Sequence, residues 1–329
     1  MKVVYLQRKP GRGFYSLERV FDDVRAHLPP WIEAEVRHSP WPSTGIVPRV
    51  RAILWARRHQ GDVTHVTGDV HFLAIPLDPR RTVLTIADCV SLERTRGLRR
   101  ALLRLFWYTL PVRRAAAVTA ISEFTRGEIL RHTGCPPEKA VAIHCPVSPV
   151  FQPRPERPAN PRPVVLQVGT TRNKNIERLA EALAGLPCEL TVVGRLLPAQ
   201  RAALERWGVA YRERWGLDDR ELLEQYARCD VVAFASLYEG FGLPIAEAHA
   251  VGRPVVTSNR CSMPEVAGDA AELVDPEDPA SIRAGILRIL DDPRHAAALV
   301  ERGFENVRRF APETIAARYA ALYREVATP

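Results

Sequence analysis

The chain has 329 residues, 46% of them hydrophobic and 26% charged, a composition that excludes fibrous, disordered and membrane-embedded classes. No run of about 18 apolar residues occurs, so no spanning helix is expected. The apolar start Met1–Leu6, followed by Arg8 and Lys9, is too short for a secretory leader.

The net charge of +8 is unevenly placed. Residues 1–150 carry 23 Lys and Arg against 13 Asp and Glu, whereas residues 151–329 carry 23 against 25. A basic first half suggests an anionic partner such as a membrane surface, a lipid phosphate or nucleic acid; a general arginine bias is the plain alternative. Six scattered cysteines without a C-x-x-C pair are expected to be reduced thiols of a cytoplasmic protein, with Cys188 and Cys229 in the core.

In chain order, Val3–Leu6 reads as a strand, residues 9–13 (Lys-Pro-Gly-Arg-Gly) as a basic glycine loop, and Ser16–Val24 as an amphipathic helix. Strand, glycine loop and helix in that order suit a phosphate, with Arg12 adding charge. Val63–His71 and Thr82–Ile86 read as further strands. Arg99–Ala117 reads as one basic helix whose Phe106-Trp107-Tyr108 cluster, among five arginines, either packs inward or meets a membrane surface. Ala117–Ser122 then reads as a strand, with a helix to about His132. Seven prolines between 146 and 163 predict a stiff linker.

Beyond it, strands at Val164–Gly169, Leu190–Gly194, Val231–Phe234 and Pro254–Thr257 alternate with helices near 176–185, 198–207, 219–228, 244–251 and 279–291. A last helix is expected over Pro312–Val326. Both halves therefore read as α/β with parallel sheets.

Two strand-to-helix junctions in the second half carry chemistry. Gly169–Asn175 contains Arg172 and Lys174, a fork and a point charge suited to a diphosphate. In Ser236–Glu247, Gly240 and Gly242 allow backbone to approach a ligand before a helix start, itself an anion site. Glu239 and Glu247 frame that junction, and carboxylates accept from hydroxyl groups rather than holding phosphate. A ligand with both phosphate and hydroxyl parts, such as a nucleotide sugar, suits the set.

The Glu239-Gly240-Phe241-Gly242-Leu243-Pro244 core with Glu247 resembles the E-x7-E signature of the retaining family 4 glycosyltransferases. The resemblance extends to residues 172–175, 219–226 and 263–268, covers nearly all of residues 164–329 and, more loosely, the first half. It implies a GT-B fold, two Rossmann-like doubly wound domains facing across a cleft. The implied domains are an acceptor-binding one over 1–150, a nucleotide-sugar-binding one over 151–311, and a C-terminal helix over 312–329 returning to the first. Arg172 and Lys174 would hold the diphosphate and Glu247 the ribose. Glu239, with the backbone of Phe241, Gly242 and Leu243, would hold the transferred hexose and the phosphate beside it, and Gly13 would approach from the first domain.

The resemblance further implies no metal or other cofactor, and no nucleic acid as partner. The basic first half, together with the resemblance, favours a glycan or lipid-linked acceptor such as an intermediate of surface polysaccharide synthesis, and the same basic charge suggests peripheral membrane contact by a cytoplasmic protein through its N-terminal domain. One position departs from the pattern: Thr85-Ile86-Ala87-Asp88 stands where such enzymes usually carry Thr-Ile-His-Asp. Three readings follow, in this order: the residue was altered to disable turnover, the enzyme works without it, or His71 supplies the imidazole. Asp88 remains beside the gap. The alternatives are a non-catalytic nucleotide-sugar or anionic-surface binder and a nucleotide-sugar epimerase. A dinucleotide oxidoreductase fits poorly, because neither half opens on G-x-G-x-x-G.

Overall fold

The computed structural model describes residues 1–10, 16–154, 156 and 159–328. Gly13 and Arg12 lie outside the described residues. The chain divides into two compact units, Met1–Pro146 with Ala311–Pro329, and Val147–Phe310.

The first unit is built on a six-stranded parallel sheet: β1 (Lys2–Gln7), β2 (Glu33–His38), β3 (Val63–Val66), β4 (Thr82–Ile86), β5 (Ala117–Ala120) and β6 (Ala140–Ala142), in spatial order β2-β1-β3-β4-β5-β6. Strand direction of travel reverses between β1 and β3, which opens a crevice at their carboxyl ends. Residues 67–71 leave β3 there. The strand expected to reach His71 stops at Val66, because Gly68 (φ 77°) and Asp69 (φ 50°) turn the backbone left-handed. His71–Ala74 then forms a 3-10 turn.

The single helix expected over Arg99–Ala117 is instead three pieces: an α-helical turn set at Gly97–Leu103, a π-helical segment at Arg104–Thr109, and a short helix at Leu110–Arg114. Pro111 has no N–H, so the α-helical donor to the Trp107 carbonyl is missing, and inserted π turns are a common local answer. The C-terminal helix Pro312–Ala327 packs in this unit. Its Tyr323 hydroxyl lies 2.8 Å from the Tyr5 hydroxyl and 2.7 Å from His65 Nδ1. His65 Nε2 meets Thr85 Oγ1 at 2.7 Å, and Thr85 meets Thr119 at 2.6 Å. Each of these buried polar groups is thereby partnered, as burial demands.

The second unit has β7 (Val164–Val168), β8 (Glu189–Val193), β9 (Tyr211–Arg214), β10 (Val231–Phe234), β11 (Val255–Ser258) and β12 (Ala271–Val274), all parallel, in order β12-β11-β10-β7-β8-β9. Here the reversal falls between β7 and β10. The two junctions singled out in the sequence leave these two strands. The proline-rich stretch has no strand or helix among its described residues, yet it is pinned rather than loose. Val147 N donates to Phe310 O, Arg154 N to Val251 O, and Asn160 Nδ2 to Asp230 Oδ2 at 2.7 Å.

Candidate functional site

At the β7/β10 reversal, three loops are tied into one platform. Asn175 is buried in a left-handed conformation (φ 60°) and donates through Nδ2 to Ala235 O at 3.1 Å and Pro276 O at 2.6 Å. Leu237 N donates to Asn173 O at 2.8 Å. On this platform Lys174 Nζ stands 2.7 Å from Glu239 Oε1, with side chains only 15% and 14% exposed. Asn173 Nδ2 donates to the same oxygen at 3.1 Å and to Tyr238 O at 2.9 Å. Lys174 also lies 4.4 Å from the Phe234 ring centroid, a cation–π contact. Gly169 lies beneath it with φ 88°, a backbone conformation that side chains rarely adopt, and a Cβ there would come within 2.8 Å of Lys174 Cε.

The β10 loop ends at Gly242 (φ 105°), which caps helix Leu243–Val251 without a side-chain hydrogen bond. Pro244 occupies the first turn, as its fixed φ favours. The Phe241 ring turns inward, edge-on to Phe310 at 5.3 Å, so only its backbone faces the junction. Ser262 Oγ lies within bonding distance of Glu239 O (2.9 Å) and Phe241 O (2.8 Å), holding the loop shape. Glu247, on the helix, accepts from Tyr226 OH at 2.6 Å. Burial, then the Glu247 charge, pushes the Tyr226 phenol well above its ordinary pKa, so it remains a donor. Arg172 is exposed on the 3-10 turn Arg172–Lys174.

In the first unit, His71 is buried against Trp107 and Tyr108. Its Nδ1 bonds the Trp107 carbonyl at 3.1 Å, the oxygen that Pro111 cannot serve. Burial lowers the His71 pKa, so the neutral ring carries its proton on Nδ1 and its lone pair on Nε2. Trp107 Nε1 donates to Asp69 Oδ1 at 2.9 Å. Tyr108 OH meets Ser91 Oγ at 2.6 Å and donates more weakly to Asp88 O at 3.4 Å. Asp88 Oδ1 accepts from Val90 N at 3.0 Å and so starts the short helix Val90–Arg94. Ala87 is half-buried, its carbonyl taking a bond from Thr125 Oγ1.

The structure thus joins Lys174 with Glu239, and gathers His71, Tyr108 and Asp88 within the first unit. It engages Glu247 with Tyr226. Sequence reasoning gave no site role to Asn173, Ser262, Tyr226 or Asp69, and named Tyr108 only within an aromatic cluster. Asn173 had a usable signal, a short amide between two cations in a strand-to-helix loop; the others are set by contacts far apart in the chain.

A family model described as Glycosyl transferases group 1 matches residues 151–306, and one described as Glycosyltransferase Family 4 matches residues 3–151. Together the two models take in residues 3–306, and the chain belongs to the family 4-type glycosyltransferases. This family member is 32% identical over 233 residues to O-antigen chain mannosyltransferase B of Escherichia coli, covering 64% of the chain and 61% of that relative. It is 30% identical over 254 residues to the MMP alpha-(1->4)-mannosyltransferase of Mycolicibacterium hassiacum, covering 72% and 62%. The chain therefore spans about three-fifths of the length of these curated relatives.

Its fold matches that of Anabaena Alr3699/HepE, solved with UDP and glucose, at a TM-score of 0.80 and 18% identity over 98% of this chain and 99% of that one. That fold is GT-B, and the two parallel sheets of this glycosyltransferase are its Rossmann-like domains. Among the described residues, no helix is long and apolar enough to cross a membrane.

Proposed function

We propose that the protein is a retaining hexosyltransferase that moves a mannose- or glucose-type sugar from a nucleoside diphosphate to a hydroxyl of a glycan or lipid-linked acceptor. The observation that carries this reading is the Lys174–Glu239 pair at the β7/β10 reversal, beside an uncapped helix start. Both bonds to Glu239 land on Oε1, so Oε2 keeps its lone pairs for sugar hydroxyls. Lys174, Arg172 and the N–H groups at Leu243 provide positive potential for the diphosphate. As the glycosidic bond breaks, charge builds on the leaving phosphate, and preorganised donors stabilise it where it develops. The acceptor hydroxyl attacks the same face, its proton passing to the departing phosphate oxygen. Anomeric configuration is retained and no metal is needed. Mannosyltransferases among the relatives and a fold neighbour solved with UDP and glucose support the donor class.

Ala87 favours a second reading, a protein that binds nucleotide sugar without turning it over. One experiment separates the two. Thermal shift with GDP, UDP, ADP and TDP in EDTA is followed by a transfer assay with the matching sugar nucleotide, the product anomer read by NMR. A selective nucleotide shift with α-linked product from an α-donor supports transfer; a shift without product supports the silent binder. No shift with any nucleotide removes both.

A further inference from the structure

Among the described residues, twelve large apolar side chains are exposed, and eight of them sit on two segments of the first unit. Helix Ile46–Ala56 shows Ile46 (80% exposed), Val47, Val50 and Leu54, spaced to share one face, while Ala52 and Ala56 are buried on the other. The segment 97–109 shows Leu98 (75% exposed), Leu102, Leu105 and Phe106, again at helical spacing. No residue of its first piece, Gly97–Leu103, is buried. The two segments are neighbours: the Arg49 guanidinium lies 4.9 Å from the Trp107 ring centroid, and Ile53, Trp55, Leu103 and Trp107 pack on one core. Of the aromatic cluster singled out in the sequence, Trp107 and Tyr108 turn inward and Phe106 faces out.

The two segments themselves carry charge of one sign, with Asp69 beside them accepting from Trp107 Nε1. Residues 46–58 and 94–114 contain eleven arginines and no Asp or Glu, and none of the eleven pairs with an acid among the described residues.

From this we infer that the two helices form a docking face for an anionic lipid bilayer, their apolar side chains entering the acyl boundary and their arginines meeting lipid phosphates. Exposed apolar patches of this kind mark interaction sites, and an apolar stripe rimmed by cations fits a lipid interface. Two copies of the face would repel each other through unpaired arginines. A nucleic acid would leave aliphatic side chains against phosphate, with Phe106 alone to stack on bases.

The test uses the full chain and sucrose-loaded vesicles, read without donor or acceptor, so it is independent of the transfer reaction. With phosphatidylcholine containing 25% phosphatidylglycerol, binding at 0.1 M NaCl should exceed that to pure phosphatidylcholine at least tenfold, and should fall at least tenfold at 0.5 M NaCl. Leu98→Glu, Leu102→Glu and Phe106→Glu combined should lower binding at least tenfold with an unchanged circular-dichroism melt. Val50→Glu with Leu54→Glu gives the same readout on the other helix if the first variant misfolds. Equal binding by both folded variants, or none by the wild type, overturns the proposal. A concentration-dependent dimer dispersed by the same substitutions, without vesicle binding, assigns the face to a second copy and also overturns it.

Discussion

The two units share a doubly wound parallel sheet but place different ionisable groups at their reversals, an ammonium–carboxylate pair in the second and buried imidazoles near Asp69 and Asp88 in the first. In the second unit the crevice holds charge: an ammonium and a carboxylate 2.7 Å apart, both partly exposed and fixed by Asn173 and Gly169. In the first, the ionisable rings nearest the β3 and β4 ends are kept neutral. Burial holds His71 below its ordinary pKa, and burial with the Arg25 charge brings His65 down to about 3. Preset charge suits a diphosphate whose own charge grows during reaction. Neutral acceptors and donors suit hydroxyl groups. The same architecture thus carries different chemistry through the loops and the depth of burial alone.

The sharpest way to break that contrast is to remove the charge from the second unit. Glu239→Gln keeps size and hydrogen bonding but leaves Lys174 without its anion, so nucleotide affinity should hold or rise slightly while kcat falls about 10²–10³-fold. Isothermal titration with the nucleoside diphosphate and steady-state transfer rates separate the two. A variant with full kcat removes Glu239 from the mechanism.

Acid should distinguish the units next. A buried neutral histidine binds its proton more readily when unfolded, so its contribution is complete above the unfolded pKa near 6.5 and is lost as pH falls towards the folded value. At pH 5, His65 with a folded value of about 3 and His249, lowered by burial to about 4, each withdraw about 2 kcal/mol. His71 acts in the same direction in the first unit. Denaturant melts at pH 7 and pH 5 should therefore show the first unit, followed through Trp107, losing more stability than the second, followed through Trp207. Equal losses would contradict the contrast. Within the first unit, Tyr323→Phe leaves Tyr5 OH and His65 Nδ1 without their shared partner, and should lower stability by about 1–3 kcal/mol while sparing nucleotide affinity.

The alternation of strand and helix was legible in outline: in the second half the six expected helices fell within two residues of their expected ends, whereas the helices Ile46–Ala56, Met263–Ala267 and Pro293–Val307 were not foreseen. The misses share a cause. β2 (Glu-Ala-Glu-Val-Arg-His) and β9 (Tyr-Arg-Glu-Arg) are edge strands carrying charge on exposed positions, which guards an edge and erases the apolar alternation that sequence reading depends on. β6 has three residues, too short to show a period, and β12 (Ala-Glu-Leu-Val) is an edge strand with a charge inside it and only Val274 buried. Glu239 and Lys174 were visible as motif residues, but their pairing spans 65 positions and is settled only by the strand order. The π segment was hidden because the apolar spacing carries a helix reading straight past Pro111, whereas here that proline frees a carbonyl that His71 takes up.

The smallest expected effect bears on the departure itself. Ala87 follows Thr85 by two positions, so its Cβ projects to the same face of the sheet as the Thr85 hydroxyl that meets His65 and Thr119. Half-buried at the carboxyl end of β4, the position has its carbonyl held by Thr125 and so presents a side chain on fixed backbone. Ala87→His should leave the nucleotide dissociation constant within about twofold. If the missing imidazole limits turnover, kcat should rise about tenfold, equivalent to about 1.4 kcal/mol of transition-state stabilisation. An unchanged kcat in an active enzyme would mean that catalysis does not need a ring there. His71→Gln then becomes the informative change, because it removes the basic Nε2 lone pair and makes any use of that neutral imidazole measurable as a loss of kcat.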